Sequence, residues 1–212
     1  MAYGQASWVP HMVRLFEEEG DLRTELGIPP EAIVLGRHGG EDSFDIPWVQ
    51  RAVVEIAREH PDLWFLFLNT RSFPGTEGMA NIRFLPATAD PLKKRRFLNS
   101  CNAMLHGRMR GETFGLSCLE FAMLGKRVLT YTGSPERSHL EILGEAAVGY
   151  GHLQELKKLL LDLAGEKRSG ESRNHNSKKP EHPGRSLGTP DLGFQEFQPE
   201  AVMKKFQEVF LG

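Results

Sequence analysis

Short, continuous apolar runs alternate along this chain with stretches whose apolar residues recur every three or four positions. The runs Ala32 to Gly36, Leu63 to Asn69, Asn81 to Leu85, Ala103 to His106, Arg127 to Tyr131 and Ala147 to Tyr150 read as strands. They lack the in-out alternation of a half-exposed strand, so they are expected to be covered on both faces, as in a parallel sheet wrapped by helices. Helices are predicted between them. Pro47 to Glu59 sets Val49, Ala52, Val53 and Ile56 on one face behind a first-turn proline, and Pro91 to Ser100 and Phe114 to Leu124 are patterned similarly. In His152 to Ala164 the residues Leu153, Leu156, Leu160 and Leu163 form a stripe. The fold class is therefore α/β, with one domain over 21–164. Residues 1–20 show no repeated apolar face and read as a lead-in. The stretch 165–194 is rich in Gly, Ser, Lys, Arg, Asn and Pro, buries too little to order itself and reads as a flexible insertion. A closing helix is predicted in 195–212, where Val202, Phe206, Val209 and Phe210 share a face behind Pro199.

Charge narrows the possible partners. With 26 Lys and Arg against 28 Asp and Glu, the chain has a formal net charge of −2, and nothing in it attracts nucleic acid or an anionic membrane as a whole. The longest apolar runs fall well short of the roughly 18–20 residues of a membrane-spanning helix. The N-terminus, MAYGQASWVPHMV, lacks a basic start followed by an apolar core, so a cytosolic location is expected. The two cysteines, Cys101 and Cys118, have no metal-ligand spacing and read as buried reduced thiols.

Two segments carry chemistry. The first, LGRHGGEDSFD over Leu35 to Asp45, follows the first strand, where open α/β sheets bind ligands. Gly39 and Gly40 allow backbone amides to approach a phosphate, Arg37 offers a bidentate cation and His38 a further donor. Taken alone, such a turn is equally a structural one. It also lacks the G-x-G-x-x-G fingerprint of nicotinamide enzymes. The second segment is HGRMRGETFGLSCLEFAMLGKRVL, from His106 to Leu129. Glu112 stands in its loop, and Glu120 follows after seven intervening residues, inside the helix that starts near Phe114. The unpaired amides of that helix's first turn form a ready diphosphate site flanked by two carboxylates able to accept from sugar hydroxyls.

This second pattern, Glu112, Phe114-Gly115-Leu116 and Glu120 ahead of a helix and a buried strand, resembles the donor site of retaining, family-4-type glycosyltransferases of the GT-B fold. The likeness extends over PDLWFLFLN, FLNSCNAMLHGR, GRHGG and the terminal PEAVMKKFQEVFL. It implies a Rossmann-like sheet of the GT-B C-terminal type that binds a UDP- or GDP-sugar without metal or other cofactor. It assigns Glu112 to the transferred sugar, Glu120 to the ribose, the Phe114, Gly115 and Leu116 amides to the diphosphate, Arg37 to the leaving-group charge and Pro86 to the edge of the base. Arg37 and Glu112 are thus the expected catalytic residues, with His38, Gly39 and Gly40 beside them. The chain departs from the family at Asp45-Ile46, where a Lys-Gly pair is usual, and at Thr113, where glycine is common. Arg51, Arg108 and Arg110 are candidate substitutes for the missing cation. The acceptor-binding half is expected on an N-terminal partner or in a homodimer, and the alternative is a non-catalytic nucleotide-sugar-binding or interaction module.

Overall fold

The structure, a computed structural model, describes residues 8–173 and 193–211. Six strands form one sheet: β1 (Ile33–His38), β2 (Leu63–Leu68), β3 (Ile82–Leu85), β4 (Ala103–His106), β6 (Val128–Tyr131) and β8 (Ala147–Tyr150). All are parallel, in the order β3-β2-β1-β4-β6-β8. Two-residue strands β5 (Gly111–Glu112) and β7 (Glu136–Arg137) pair separately. The helices are α1 (Pro47–Glu59), α2 (Pro91–Ser100), α3 (Leu116–Ala122), α4 (Ser138–Leu143), α5 (Leu153–Arg173) and α6 (Pro199–Phe210).

The expected Rossmann-like α/β fold is present, because alternate strand residues feed two separate cores. Ile33, Leu35, Phe65, Phe67, Ala103 and Leu105 face α1 and α5. Val34, Leu66, Leu68, Met104 and Val128 face the buried residues of α2 and α3, together with Val13, Leu22 and Phe197. All six residues of β2 are buried, as its unbroken LWFLFL run requires. Gly36, in the middle of β1, faces the second core. A Cβ there would lie 2.3 Å from Cys101 Sγ and 2.9 Å from the Phe121 ring, so only glycine admits this close packing.

Helix ends follow local chemistry. The Asp90 side chain accepts from the Leu92 amide at 2.9 Å, with Pro91 in the first turn, and together they start α2. The other end of α2 is closed by a side chain from a distant segment. Lys126, 2% exposed, donates through Nζ to the carbonyls of Leu98 and Cys101, and burial lowers its pKa to about 8. Helix α3 begins later than the expected Phe114, because Gly115 sits in the left-handed region at φ 90 as its N-cap. It ends before Leu124, where Gly125 (φ 66) donates to Ala122 and Lys126 to Phe121, a Schellman-type stop.

The flanking segments differ in part from expectation. Residues 8–20 carry no helix or strand, yet Val13 is buried and its amide donates to Phe197 O at 2.7 Å, which fastens the lead-in to the C-terminal segment. Helix α5 runs past Ala164 to Arg173, and the remainder of the proposed insertion up to residue 192 lies outside the described residues. On α6 only Val202 is buried, and Phe206 and Phe210 are exposed and in ring contact with each other. No helix among the described residues is long and apolar enough to cross a membrane. Substituting Gly36→Ala is expected to destabilise the chain by about 1–3 kcal/mol through overpacking, read as a lower urea midpoint at unchanged m-value.

Candidate functional site

The sheet reverses its order of build between β1 and β4, and the carboxyl ends of strands at such a switch point are where open α/β sheets form a crevice for ligands. Period-2 alternation then sends Arg37 and His38 to opposite faces of β1.

Arg37 turns toward the α1 side, 3% exposed, with its guanidinium 6.0 Å from the centre of the Phe44 ring. Nη1 donates to Thr70 Oγ1 at 2.5 Å and to Asn69 O at 3.3 Å, and Nη2 donates to Gly40 O at 3.0 Å and Ser43 Oγ at 2.5 Å. Burial lowers its pKa to about 10, partly offset by the charge of Glu112, so it is a cation at neutral pH. The bidentate cation expected for a diphosphate at this position has both terminal nitrogens on protein acceptors. Nη2 holds the glycine turn from beneath, while Nη1 fastens the guanidinium to the loop after β2. Asn69 (φ 51) completes this support by donating from Nδ2 to Gly39 O at 2.8 Å. The carbonyls of Gly39 and Gly40 are thereby taken, while their amides bond to nothing among the described residues. Asp45, at the expected lysine position, accepts from the Met109 amide at 2.7 Å and donates its own amide to Gly107 O, so it joins the first loop to the second.

His38 turns the other way. Its ring stacks on Phe121 at 6.0 Å, and Nε2 lies 2.9 Å from Glu120 Oε2. The Lys94 ammonium on α2 donates to the other carboxylate oxygen, Oε1. Glu120 is only 7% exposed, and burial raises its pKa, but His38 and Lys94 outweigh that effect and hold it below the ordinary carboxylate range.

Glu112, on β5, repeats the balance with different partners. Burial opposes its ionisation, while His106 Nε2 at 3.2 Å from Oε1 and Arg108 Nη1 at 2.7 Å from Oε2 favour it and win. Between the two acids lies the start of α3. A Cβ on Gly115 would meet His139 Cβ at 2.7 Å and Glu112 Cβ at 3.4 Å, so glycine is required there for space as well as for φ. The Phe114 ring packs edge-on against His11 and Phe197, and Leu116 is exposed. The first-turn amides of this helix have no carbonyl partner of their own.

Arg37, His38, Gly39, Gly40, Glu112, Phe114, Gly115, Leu116 and Glu120 thus belong to one edge of the sheet. Pro86 stands apart, exposed beyond edge strand β3, and reaches the group only through the loop that leads into α2 and Lys94. Of the proposed substitute cations, Arg108 pairs with Glu112, Arg110 reaches Glu136 at 3.7 Å and Arg51 is exposed on α1. Sequence reasoning missed Lys94, Thr130 and His139. Among the described residues no group of His, Cys, Asp and Glu side chains is arranged to hold a metal ion.

No protein-family model matches the sequence, and no curated relative does. Solved structures match in fold. HepE of Anabaena in complex with UDP is 15% identical with a TM-score of 0.57, over 90% of this chain and 51% of that one. The GtfA/B complex is 14% identical with a TM-score of 0.58, over 95% and 39%. A putative UDP-N-acetylglucosamine 2-epimerase from Listeria monocytogenes is 17% identical with a TM-score of 0.51, over 88% and 48%. The chain spans about half the length of these structures or less. At such identities the likeness is one of fold alone, a Rossmann-like α/β unit that corresponds to about half of each of these structures or less.

His139 is fully buried, and burial, followed by the neighbouring His106, lowers its pKa to about 4. Between that value and the ordinary pKa of about 6.5, the unfolded chain binds a proton that the folded chain refuses, so stability falls as pH drops through the window. Replacing His139→Asn is expected to flatten the decline of the urea midpoint between neutral pH and the acid end of this range; an unaltered slope would assign the acid sensitivity elsewhere.

Proposed function

We propose that this chain binds a nucleoside diphosphate sugar, UDP- or GDP-linked, and acts as the donor half of a retaining, family-4-type glycosyltransferase. The acceptor is then held by an N-terminal half or by a second chain. The observation that carries this reading is the Glu120–His38 contact of 2.9 Å, which joins the glycine turn to the body of α3. Two ionised acids, an amide-bearing turn and a helix start thereby border one crevice.

In this reading Glu120 accepts from the ribose hydroxyls and Glu112 from those of the transferred sugar. The amides of Gly39, Gly40, Phe114, Gly115 and Leu116 receive the diphosphate, His38 adds a donor, and the loop at Pro86 edges the base. Arg37 acts at one remove, fixing the turn and adding positive potential beneath it. As the bond to the sugar breaks, charge grows on the leaving diphosphate, and donors already fixed in place stabilise it without reorganisation. No metal or cofactor is given a role. The same fold carries UDP in the HepE structure named above and UDP-glucose in a further HepE complex. These ligands support the choice of donor class.

A second reading, a nucleotide-sugar-binding module without transferase activity, is favoured by one observation. The terminal nitrogens of Arg37 face protein acceptors, and Asp45 occupies the expected lysine position. Calorimetric titration with UDP- and GDP-sugars tests both binding readings against a purely structural role, and a transfer assay on the chain joined to an acceptor-binding half separates enzyme from binder. The variant Glu120→Ala is expected to weaken nucleotide-sugar binding by about 1–3 kcal/mol, the loss of a charged hydrogen-bond partner. Unchanged affinity with the fold intact by circular dichroism removes Glu120 from the site.

A further inference from the structure

Behind Glu112, on the side away from the crevice, two buried histidines share one hydroxyl. Thr130 Oγ1, on β6, lies 2.9 Å from His106 Nδ1 and 3.0 Å from His139 Nε2. His106 Nε2 in turn lies 3.2 Å from Glu112 Oε1. All three inner residues are 3% exposed or less, and the His106 and His139 rings are 5.0 Å apart. The charged groups facing this cluster are Glu112 and Arg108 from the loop after β4, and Arg137 beside His139 itself.

The proton count along this line is nearly closed. An ionised carboxylate only accepts, so His106 Nε2 carries a hydrogen and donates to Glu112. With Nε2 carrying the one ring hydrogen, Nδ1 of His106 is an acceptor and takes the single hydrogen of the Thr130 hydroxyl. Having spent that hydrogen, Thr130 Oγ1 accepts from His139, whose hydrogen must therefore sit on Nε2.

The geometry points to a positioning relay, in which His139 and Thr130 fix the tautomer of His106 so that its Nε2–H holds Glu112 ionised and aimed at the transferred sugar. The last clause rests on the function proposed above. The relay itself does not. It leaves Glu112 with one oxygen on a buried ring donor and the other on half-exposed Arg108. An approaching sugar hydroxyl thus meets an acid whose orientation is set from behind. The Cβ of His139 also leaves no room for a side chain at Gly115, so the same residue backs both the acid and the start of α3.

The test is long-range proton–nitrogen NMR of the full chain labelled at histidine nitrogens, at neutral pH, with the His106 and His139 signals assigned through His106→Asn and His139→Asn. Both rings are expected as neutral Nε2–H tautomers. In Thr130→Val, which keeps the shape and removes the hydroxyl, the His106 and His139 signals are expected to move toward tautomer averaging, and Thr130→Ser is expected to restore them. In calorimetry, Thr130→Val should weaken UDP-glucose binding by about fivefold while leaving UDP alone nearly unchanged, because Glu112 is assigned to the sugar and not to the nucleotide. A His106 found with its hydrogen on Nδ1, a doubly protonated His106 with reversed polarity, or signals indifferent to the loss of the Thr130 hydroxyl would each overturn the relay. Tautomers as expected with sugar affinity unmoved in Thr130→Val would overturn its positioning role. A wild-type chain that binds neither UDP-glucose nor GDP-mannose would sink the donor reading, and the tautomers would still decide the relay.

Discussion

One buried carboxylate organises the carboxyl edge of this sheet. Glu120 is 7% exposed, and an ion so placed survives only if its desolvation is offset by specific partners. Those partners come from two other elements: Lys94 from α2 and His38 from the end of β1. One side chain of α3 therefore ties together the three segments that surround the mouth of the crevice. Removing it leaves a partly buried ammonium without its acceptor and an imidazole without its carboxylate neighbour, so the acid has a structural consequence as well as a binding one.

The glycine turn shows a complementary division of labour. Side chains beneath it, Arg37 and Asn69, bond the carbonyls of Gly40 and Gly39. With the carbonyls drawn inward, the polar groups left to the crevice are amides. This is the arrangement that suits an anion, since a turn whose carbonyls pointed outward would repel phosphate oxygens. Arg37 thus shapes the site by what it bonds within the protein. That explains how a cation almost fully withdrawn from solvent can still matter to an anion above it.

The strands were legible because parallel strands covered on both faces write themselves as unbroken apolar runs, and LWFLFL is the extreme case. Helices α1 and α2 were legible because proline opens both and Asp90 caps the second. Helix α4 and the β5/β7 pair escaped notice because six residues, or two, are too few to establish a period. The two glutamates were found through their spacing around a helix start, which is local. Their partners were not, because Lys94 stands 26 residues from Glu120 and Thr130 stands 24 from His106, and only the packing of α2 and β6 brings them together. The orientation of Arg37 had a signal that went unread. It follows Ile33 and Leu35 in the period-2 pattern and so shares their buried face, while His38 falls on the face of Val34 and Gly36.

Charge at the site bears on the missing lysine. Three cations, Arg37, Lys94 and Arg108, stand against three carboxylates, Asp45, Glu112 and Glu120, and two of the three cations are already paired with the glutamates. These side chains leave no surplus of positive charge. On the proposed reading, a diphosphate entering here cannot be held chiefly by side-chain cations, as it would be with a lysine in place of Asp45. It must be held by amides, at the turn and at the start of α3, where partial positive charge is fixed by backbone geometry and costs no side-chain ordering. Such a site depends on the shape of its loops, and in this chain Asp45 serves that shape by fastening one loop to the other. The exchange of lysine for aspartate then trades a charge for rigidity.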